Sequence, residues 1–524
     1  MKEFSTKEKE DKNSMTSNNS NSSSSNAIFP IIAGATAITA ILAYIYREDP
    51  IFEQVKLKQK LNRAPGVVPF LGDLVFSIMN RHRIHDRISE MFEITNNEPF
   101  VLKFPFFEAP LVFVNDPKVV EHVLKTKFGV YEKGPFFRNR ASDVLGHGIF
   151  NSDGQHWKDQ RKIAANIFNV KNFKEFVSDV FTNEMKNFSV VLSVYAKSGE
   201  IFDLQELFFR FTLDSFTKIG FGIDLNSMTA TSRVPFAVAF DSVQTKVFLR
   251  FLTPLWQTQE ALFGAKKHTD NIKIIRDFGL DIIKRKRQGE VPEGNNDLLS
   301  LLLKVPDENG NPPSDELLVD YVMNFLIAGR DTTAQALSWT FYLLHTNPNV
   351  FIELQKEIGA VLDGAAPTYD QIKNAMPYAN AVFHESLRLY PSVPLEIKQA
   401  NTDDTLPDGT FIPNGATVSW SPYAMGRTEA IWGPTAKEFK PERWLQMERQ
   451  PSPFDYPVFN AGPRVCLGKN MAELEGVFVM VEVARQFRIE VVNTDQVTYA
   501  NSLTLPMING LRVRCFPSSD KREK

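Results

Sequence analysis

The ten residues from Phe459 to Gly468 read Phe-Asn-Ala-Gly-Pro-Arg-Val-Cys-Leu-Gly, and they constrain the rest of the chain more than any other stretch. They carry Cys466, one of two cysteines in 524 residues. An apolar run with helical spacing follows (Met471, Ala472, Leu474, Val477, Phe478, Met480, Val481). Cys466 is therefore expected in a tight loop at a helix N-terminus, where unpaired N–H groups and the helix dipole favour an anion. A thiol held there is expected to lose its proton easily, and a thiolate is a metal ligand. Gly462 and Gly468 let a backbone approach a flat ligand closely. Arg464, just before the thiol, is placed to meet a carboxylate. These parts suit a thiolate beneath a haem whose propionate is clamped by arginine. A lone cysteine is more often a small buried hydrophobe. That reading leaves the Phe, the two Gly and the Arg at fixed offsets without a reason.

The charge balance of 59 basic and 62 acidic residues gives a net charge of −3, so no strong field toward nucleic acid is indicated. Forty-three phenylalanines point to a large apolar interior or pocket. Cys466 and Cys515 cannot make a disulfide framework, which fits a reducing compartment, and Cys515 reads as structural. The eight histidines show no metal-ligand spacing.

Residues 1–26 are polar, rich in Ser and Asn, and read as a disordered tail. Residues 27–46 are an uncharged run, long enough as a helix to cross a hydrocarbon core of ~30 Å. Lys56, Lys58, Lys60 and Arg63 follow it, so the bulk of the protein is expected on the cytoplasmic side of a single-pass anchor. No A-x-A site precedes Arg47, which argues against a cleaved signal. Residues 47–72 read as a linker and proline-rich hinge, with Pro65, Gly66, Pro69 and Gly72. Residues 73–524 then form one large, mostly helical domain, with short strands at Phe100–Phe104 and Leu111–Val114.

A long helix is expected from the N-cap Ser314 to about Thr346, where Asn347-Pro348 stops it. At 1.5 Å per residue this is roughly 45 Å, enough to cross a whole domain. Its apolar stretches flank a polar island, Gly329-Arg330-Asp331-Thr332-Thr333. Burying such an island is costly unless each group has a partner. A Thr hydroxyl can bond back to the carbonyl a turn earlier and distort the helix. Gly329 removes a side chain where a ligand needs room. Trp157 and Arg161 stand one helical turn apart, two donors suited to carboxylates. Glu385 and Arg388 are an i,i+3 pair on a helix that ends before Pro391.

Set together, these motifs resemble the cytochrome P-450 family of haem-thiolate monooxygenases. Residues 459–468 match its haem-loop pattern F-x-x-G-x-R-x-C-x-G at every position, and Ala-Gly-Arg-Asp-Thr-Thr matches its oxygen-activation motif. Trp157 to Arg161 is similar to its W-x-x-x-R element, and Glu385 to Arg388 to its E-x-x-R. The resemblance implies a mainly α fold with small β-sheets and haem b (iron protoporphyrin IX) as cofactor. Cys466 is then the axial iron ligand, and Trp157, Arg161, Arg464 and Gly468 bind the cofactor. Thr332 bonds bound dioxygen and Asp331 relays protons. Glu385, Arg388 and Arg443 form a structural ion network. The hinge resembles that of microsomal members, which implies the endoplasmic reticulum membrane.

Only about 50 residues follow the haem loop, with no Gly-rich flavin or nicotinamide segment, so electrons are expected from a separate NADPH–cytochrome P-450 reductase, with cytochrome b5 as a further partner. Lys158, Lys162 and Lys469 are candidate docking residues. The wording of 145–150, 211–216 and 406–410 resembles the long-chain fatty-acid ω-hydroxylase branch. By family analogy the pocket lining is Phe136, Phe137, Phe150, Phe325, Val393 and Leu505, an apolar set suited to an alkyl chain. A sterol or terpenoid oxidase of the same fold remains an alternative. So do a haem-thiolate hydroperoxide isomerase or dehydratase and a haem sensor, although the Asp331-Thr332 pair argues against both.

Overall fold

The computed structural model describes residues 34, 36–40, 57–68, 71–107, 109–167, 173–230, 232–289, 297–304 and 311–518. The expected tail and most of the expected anchor lie outside these. Gly34 and residues 36–40 of the anchor are helical and exposed. Among the described residues no helix is long and apolar enough to cross a membrane.

The strands are β1 (Asn62–Arg63), β2 (Phe100–Leu102), β3 (Leu111–Val114), β4 (Tyr131–Glu132), β5 (Phe202–Asp203), β6 (Glu396–Ala400), β7 (Asp404–Thr405), β8 (Phe411–Ile412), β9 (Thr417–Trp420), β10 (Phe487–Val491) and β11 (Arg512–Pro517). They make a six-stranded sheet in the order β1-β2-β3-β9-β6-β4, a three-stranded sheet β10-β11-β5 and the ribbon β7-β8. Both expected strands form, the first ending at Leu102. The folded body begins earlier than the hinge reading places it. Asn62 and Arg63 pair with Phe100 and Val101, and Leu57 and Leu61 pack on the sheet's core. The Pro65-Gly66 turn thus follows a strand that is already part of the sheet.

The longer helices are α1 (Gly134–Leu145), α2 (Gly154–Ile167), α3 (Phe173–Ser198), α4 (Leu204–Phe221), α5 (Pro235–Arg250), α6 (Lys266–Arg287), α7 (Asp315–Leu326), α8 (Thr332–Thr346), α9 (Pro348–Leu362), α10 (Pro377–Leu389) and α11 (Lys469–Gln486). Local chemistry sets their ends. Asp203 caps α4 by accepting from the Gln205 and Glu206 N–H groups, and Gly222 closes it at φ 73°. Ser314 accepts from the Leu317 N–H and starts α7 as expected.

The helix expected from Ser314 to Thr346 is interrupted. Between α7 and α8 the polar island forms a π turn, Ile327–Asp331. Such a turn leaves carbonyls without their regular partners. Three hydroxyls answer them: Thr332 Oγ1 donates to Ala328 O at 2.7 Å, Thr212 Oγ1 to Arg330 O at 2.7 Å, and Ser392 Oγ to Thr332 O at 2.7 Å. Beyond the turn, α8 is buried almost all round, as a helix through the middle of a core must be. Phe341 stacks on Phe208 of α4 at 5.5 Å, and Trp339 stacks on Tyr390 at 4.0 Å. The domain is built around this helix.

Candidate active site

Cys466 lies between a short 3-10 turn, Gly462–Arg464, and the start of α11. Its own N–H donates to Phe459 O at 2.8 Å, which closes the loop. The residue is exposed and lines a cavity of about 240 Å³. Burial pushes the thiol up, while the Gly468 N–H and the charges of Arg161 and Lys469 pull it down. Burial outweighs the helix N-terminus and these charges, and a metal bound to the sulfur would favour its ionised form. The two loop glycines divide their work. Gly462, at φ 61°, lies where a Cβ would meet Leu124 O at 2.3 Å, so it packs on protein and not on a ligand. A Cβ at Gly468 would meet nothing within 4 Å, and Gly468 lines the cavity.

The π turn and the start of α8 form another part of the cavity wall, through Ala328, Gly329, Thr332 and Thr333. Gly329 does not leave room for a ligand. A Cβ there would fall 1.9 Å from the Phe216 ring, so the glycine admits that ring to the wall. Asp331 does not line the cavity. Its Oδ1 accepts from Arg330 at 2.6 Å and its Oδ2 from Gln244 at 2.5 Å, and Arg330 also reaches Asp241 at 3.0 Å. Burial pushes the Asp331 carboxyl up to about 6; Arg330 opposes this, and the charge of Asp241 adds to it.

At the edge of the cavity, Arg161 donates to Val465 O at 2.5 Å, and Arg464 lies 4.4 Å above the Trp157 ring. Arg464 also donates to Ser152 O and Asp153, yet its buried Nε has no partner among the described residues. Burial lowers its pKa to about 10. Beside it, Lys398 of β6 is buried with no partner for Nζ among the described residues; desolvation and the charges of Arg464 and Lys133 push its pKa far down. The buried guanidinium Nε of Arg464, left without an acceptor among the described residues, calls for an anion. A flat cofactor with two carboxylates, held by a thiolate and edged by Arg464, Arg161 and Trp157, fits this donor set.

The comparisons with known proteins agree. The family description "Cytochrome P450" matches residues 63–509. The chain belongs to the cytochrome P450 family. It is 37% identical over 487 residues to cytochrome P450 704C1 of Pinus taeda, covering 87% of this chain and 93% of that one. It is 36% identical to cytochrome P450 86B1 of Arabidopsis thaliana (88% and 87% covered) and 35% identical to cytochrome P450 monooxygenase cyp1 of Mycosarcoma maydis (86% and 75% covered). The protein is thus a cytochrome P450 monooxygenase, an enzyme of haem-thiolate chemistry that draws on a redox partner, O2 and a hydrophobic substrate.

Within this cytochrome P450, the cavity gathers Trp157, Arg161, Arg464, Cys466, Gly468, Thr332, Phe150, Phe325 and Val393. Phe136, Phe137 and Leu505 are not among its lining residues. Phe136 is fully buried against Phe107 and Phe251, with the Arg140 guanidinium 3.8 Å from its ring. Phe137 packs against Phe251. Leu505 is core, its backbone gripped by Gln335, Trp339 and Ser392. Glu385, Arg388 and Arg443 meet away from the cavity. The sequence reading passes over Lys398, Ser392 and Glu475. Glu475 is buried on α11 and hydrogen-bonded to Thr333, and burial pushes its carboxyl up to about 8. Its one visible signal is an acid inside the apolar run Leu474-Glu475-Gly476-Val477.

Proposed function

We propose that this cytochrome P450 hydroxylates a long-chain fatty acid at or near its methyl end. The observation that carries the reading is the cavity itself: Ile149, Phe150, Phe216, Phe325, Leu387 and Val393 surround the space between Cys466 and Thr332 with apolar surface. An alkyl chain is stabilised there by burial, at ~0.8 kcal/mol per CH2. The resemblance of residues 145–150, 211–216 and 406–410 to the ω-hydroxylase branch supports the same class.

The roles follow from position. Cys466 is the thiolate ligand, with the Gly468 N–H donating to its sulfur. Arg464, Arg161 and Trp157 would hold the carboxylates of haem b. When bound, the haem supplies the reductive activation of O2, so that RH + O2 + two electrons + two protons give ROH + H2O. Thr332 presents its hydroxyl at the cavity wall, and its bond to Ala328 O fixes the direction in which the oxygen's lone pairs face. Asp331, the buried acid behind it, is held in place by Arg330 and Gln244, and Arg330 ties it to the half-buried Asp241. The apolar walls exclude water from the reacting carbon. An anchor at 27–46 in the endoplasmic reticulum membrane, a tail at 1–26, and electrons from NADPH–cytochrome P450 reductase with cytochrome b5 complete the proposal. Lys158 and Lys162 are exposed and available to such a partner.

The test reconstitutes the protein with the reductase and NADPH, offers medium- to long-chain fatty acids, and locates the new hydroxyl by mass spectrometry. Terminal hydroxylation that disappears in Cys466→Ser is the expected result. A protein that loads and reduces haem normally but oxidises no fatty acid overturns the substrate, and sterols and terpenoids are tried next.

A further inference from the structure

The loop between α1 and α2 carries Ile149 and Phe150 into the cavity, and it lies directly on α7. Two side chains one turn apart on that helix, Asp320 and Asn324, receive it. Asn324 is fully buried, and both ends of its amide are used. Its Nδ2 donates to Leu145 O at 2.8 Å and to Asp320 O at 2.8 Å. Its Oδ1 accepts from the Phe150 N–H at 3.0 Å. Asp320 Oδ2 accepts from the His147 N–H at 2.9 Å, while its Oδ1 holds Arg276 of α6 at 3.0 Å.

The contact is as close as backbone allows. A Cβ on Gly146 would lie 2.0 Å from Asp320 Cγ, and one on Gly148 2.0 Å from Asn324 Nδ2. The loop is closed on its other sides as well. Asn151 Nδ2 donates to Gly146 O at 2.8 Å, and Gln160 of α2 donates to His147 O at 2.8 Å. The last fixed point before the Phe150 ring is therefore its own N–H on Asn324. Phe325, the next residue along α7, lines the same cavity. One helix thus fixes both phenylalanines.

We propose that Asn324 is a positioning residue for regiochemistry: by gripping the Leu145–Phe150 backbone it sets how far Phe150 stands into the cavity, and so which carbon of an alkyl chain reaches the reacting centre. The choice of residue is chemically narrow. The site needs donors toward Leu145 O and an acceptor for the Phe150 N–H on one short neutral side chain, which asparagine supplies. Aspartate keeps the acceptor, loses the donors and adds a second carboxylate one turn from Asp320. Alanine loses both. The regiochemical half of the proposal rests on the fatty-acid reading above; the positional half does not.

The experiment therefore uses two readouts on the haem-loaded full chain. The first is equilibrium binding of 1-alkylimidazoles of increasing chain length, followed optically, which measures the depth of the cavity above the iron without assuming a substrate. The second is the ratio of terminal to internal hydroxylation of fatty acids. The variants are Asn324→Ala, Asn324→Asp, Phe150→Ala, and Gly148→Ala, which forces the loop off Asn324 from the other side. Asn324→Ala is expected to shift the chain length of tightest binding in the same direction as Phe150→Ala, with several-fold changes in affinity at the longest chains. The double variant adds little to either. The hydroxylation ratio falls several-fold in both. If Asn324→Ala does not load haem, Gly148→Ala and Asn324→Asp carry the test and are expected to shift the same profile. An unchanged length profile in the Asn324 and Gly148 variants, alongside a changed one in Phe150→Ala, overturns the inference, as does a uniform loss of all products at constant ratio. A wild type that oxidises no fatty acid while the alkylimidazole profiles still shift together removes the substrate and leaves Asn324 in its role.

Discussion

Residue identity decides chemistry here through burial as much as through type. Glu475 is a carboxylic acid enclosed beside the reacting cavity, with Thr333 as its hydrogen-bond partner and desolvation as the main influence on its proton. Its pKa stands at about 8 in the folded chain against an ordinary 4.5. Between those values the folded chain holds a proton that the unfolded chain has released, so stability falls as pH rises through this window. The full contribution is present below about 4.5, and the loss is complete above about 8. At ~1.4 kcal/mol per pKa unit the effect amounts to a few kcal/mol. Glu475→Gln keeps a hydrogen bond to Thr333 and removes the titration. The difference in thermal midpoint between Glu475→Gln and wild type is therefore expected to grow in favour of the variant from pH 5 to pH 8. A difference that stays flat over this range would mean that Glu475 is solvated or paired with a cation.

At the scale of the element, the π turn is the feature that most changes the expectation. The sequence displays its polar residues and its glycine, and a threonine that bonds backward is foreseeable from Thr332 alone. It does not display Phe216, which comes from α4 and fills the space that Gly329 leaves. The same limit explains Phe136, Phe137 and Leu505. Aromatic and aliphatic residues near a cavity look alike in a sequence, and the neighbouring turn determines which of them faces inward. For Gly329→Ala, a methyl driven into the Phe216 ring is expected to cost about 1–3 kcal/mol. Phe216→Ala in the same chain should recover most of that loss, giving a coupling that a double-mutant cycle in denaturant measures directly. Simple additivity of the two changes would show that the cost of the methyl does not come from the Phe216 ring.

Across the whole molecule, the catalytic loop, the long helix and the ion network could be read from short motifs because each needs particular residues at fixed offsets. The sheet order, the pairing of Asn62–Arg63 with Phe100–Val101 and the clamp by Asn324 could not, since they are pairings between distant segments that a single sequence does not expose. The ion network shows how such pairings support the site. Glu385 accepts from Arg388 Nε at 2.8 Å and Nη2 at 2.7 Å, from Arg443 Nε at 2.9 Å, from Trp444 Nε1 at 2.9 Å and from the Lys440 N–H at 2.9 Å. Arg388 passes on to the carbonyls of Gly426, Ala436 and Glu438. This ties α10 to the segment that leads into the cysteine loop, where the Tyr456 OH donates to His384 O at 2.9 Å and its ring meets Trp444 at 4.9 Å. Glu385→Gln leaves two buried guanidinium groups without their counter-charge, a change expected to cost about 3–5 kcal/mol. Lys356, paired with Glu353 on the surface at 2.6 Å, is the control, because the loss of an exposed pair costs no more than ~1 kcal/mol. Glu385→Gln should lower both the thermal midpoint and the fraction of protein that shows thiolate-ligated haem absorption, while Lys356→Ala changes neither. If Glu385→Gln melts with wild type but loses the haem signal, the network acts on the cysteine loop alone; if it keeps both, the segment before Cys466 is held by packing and not by charge.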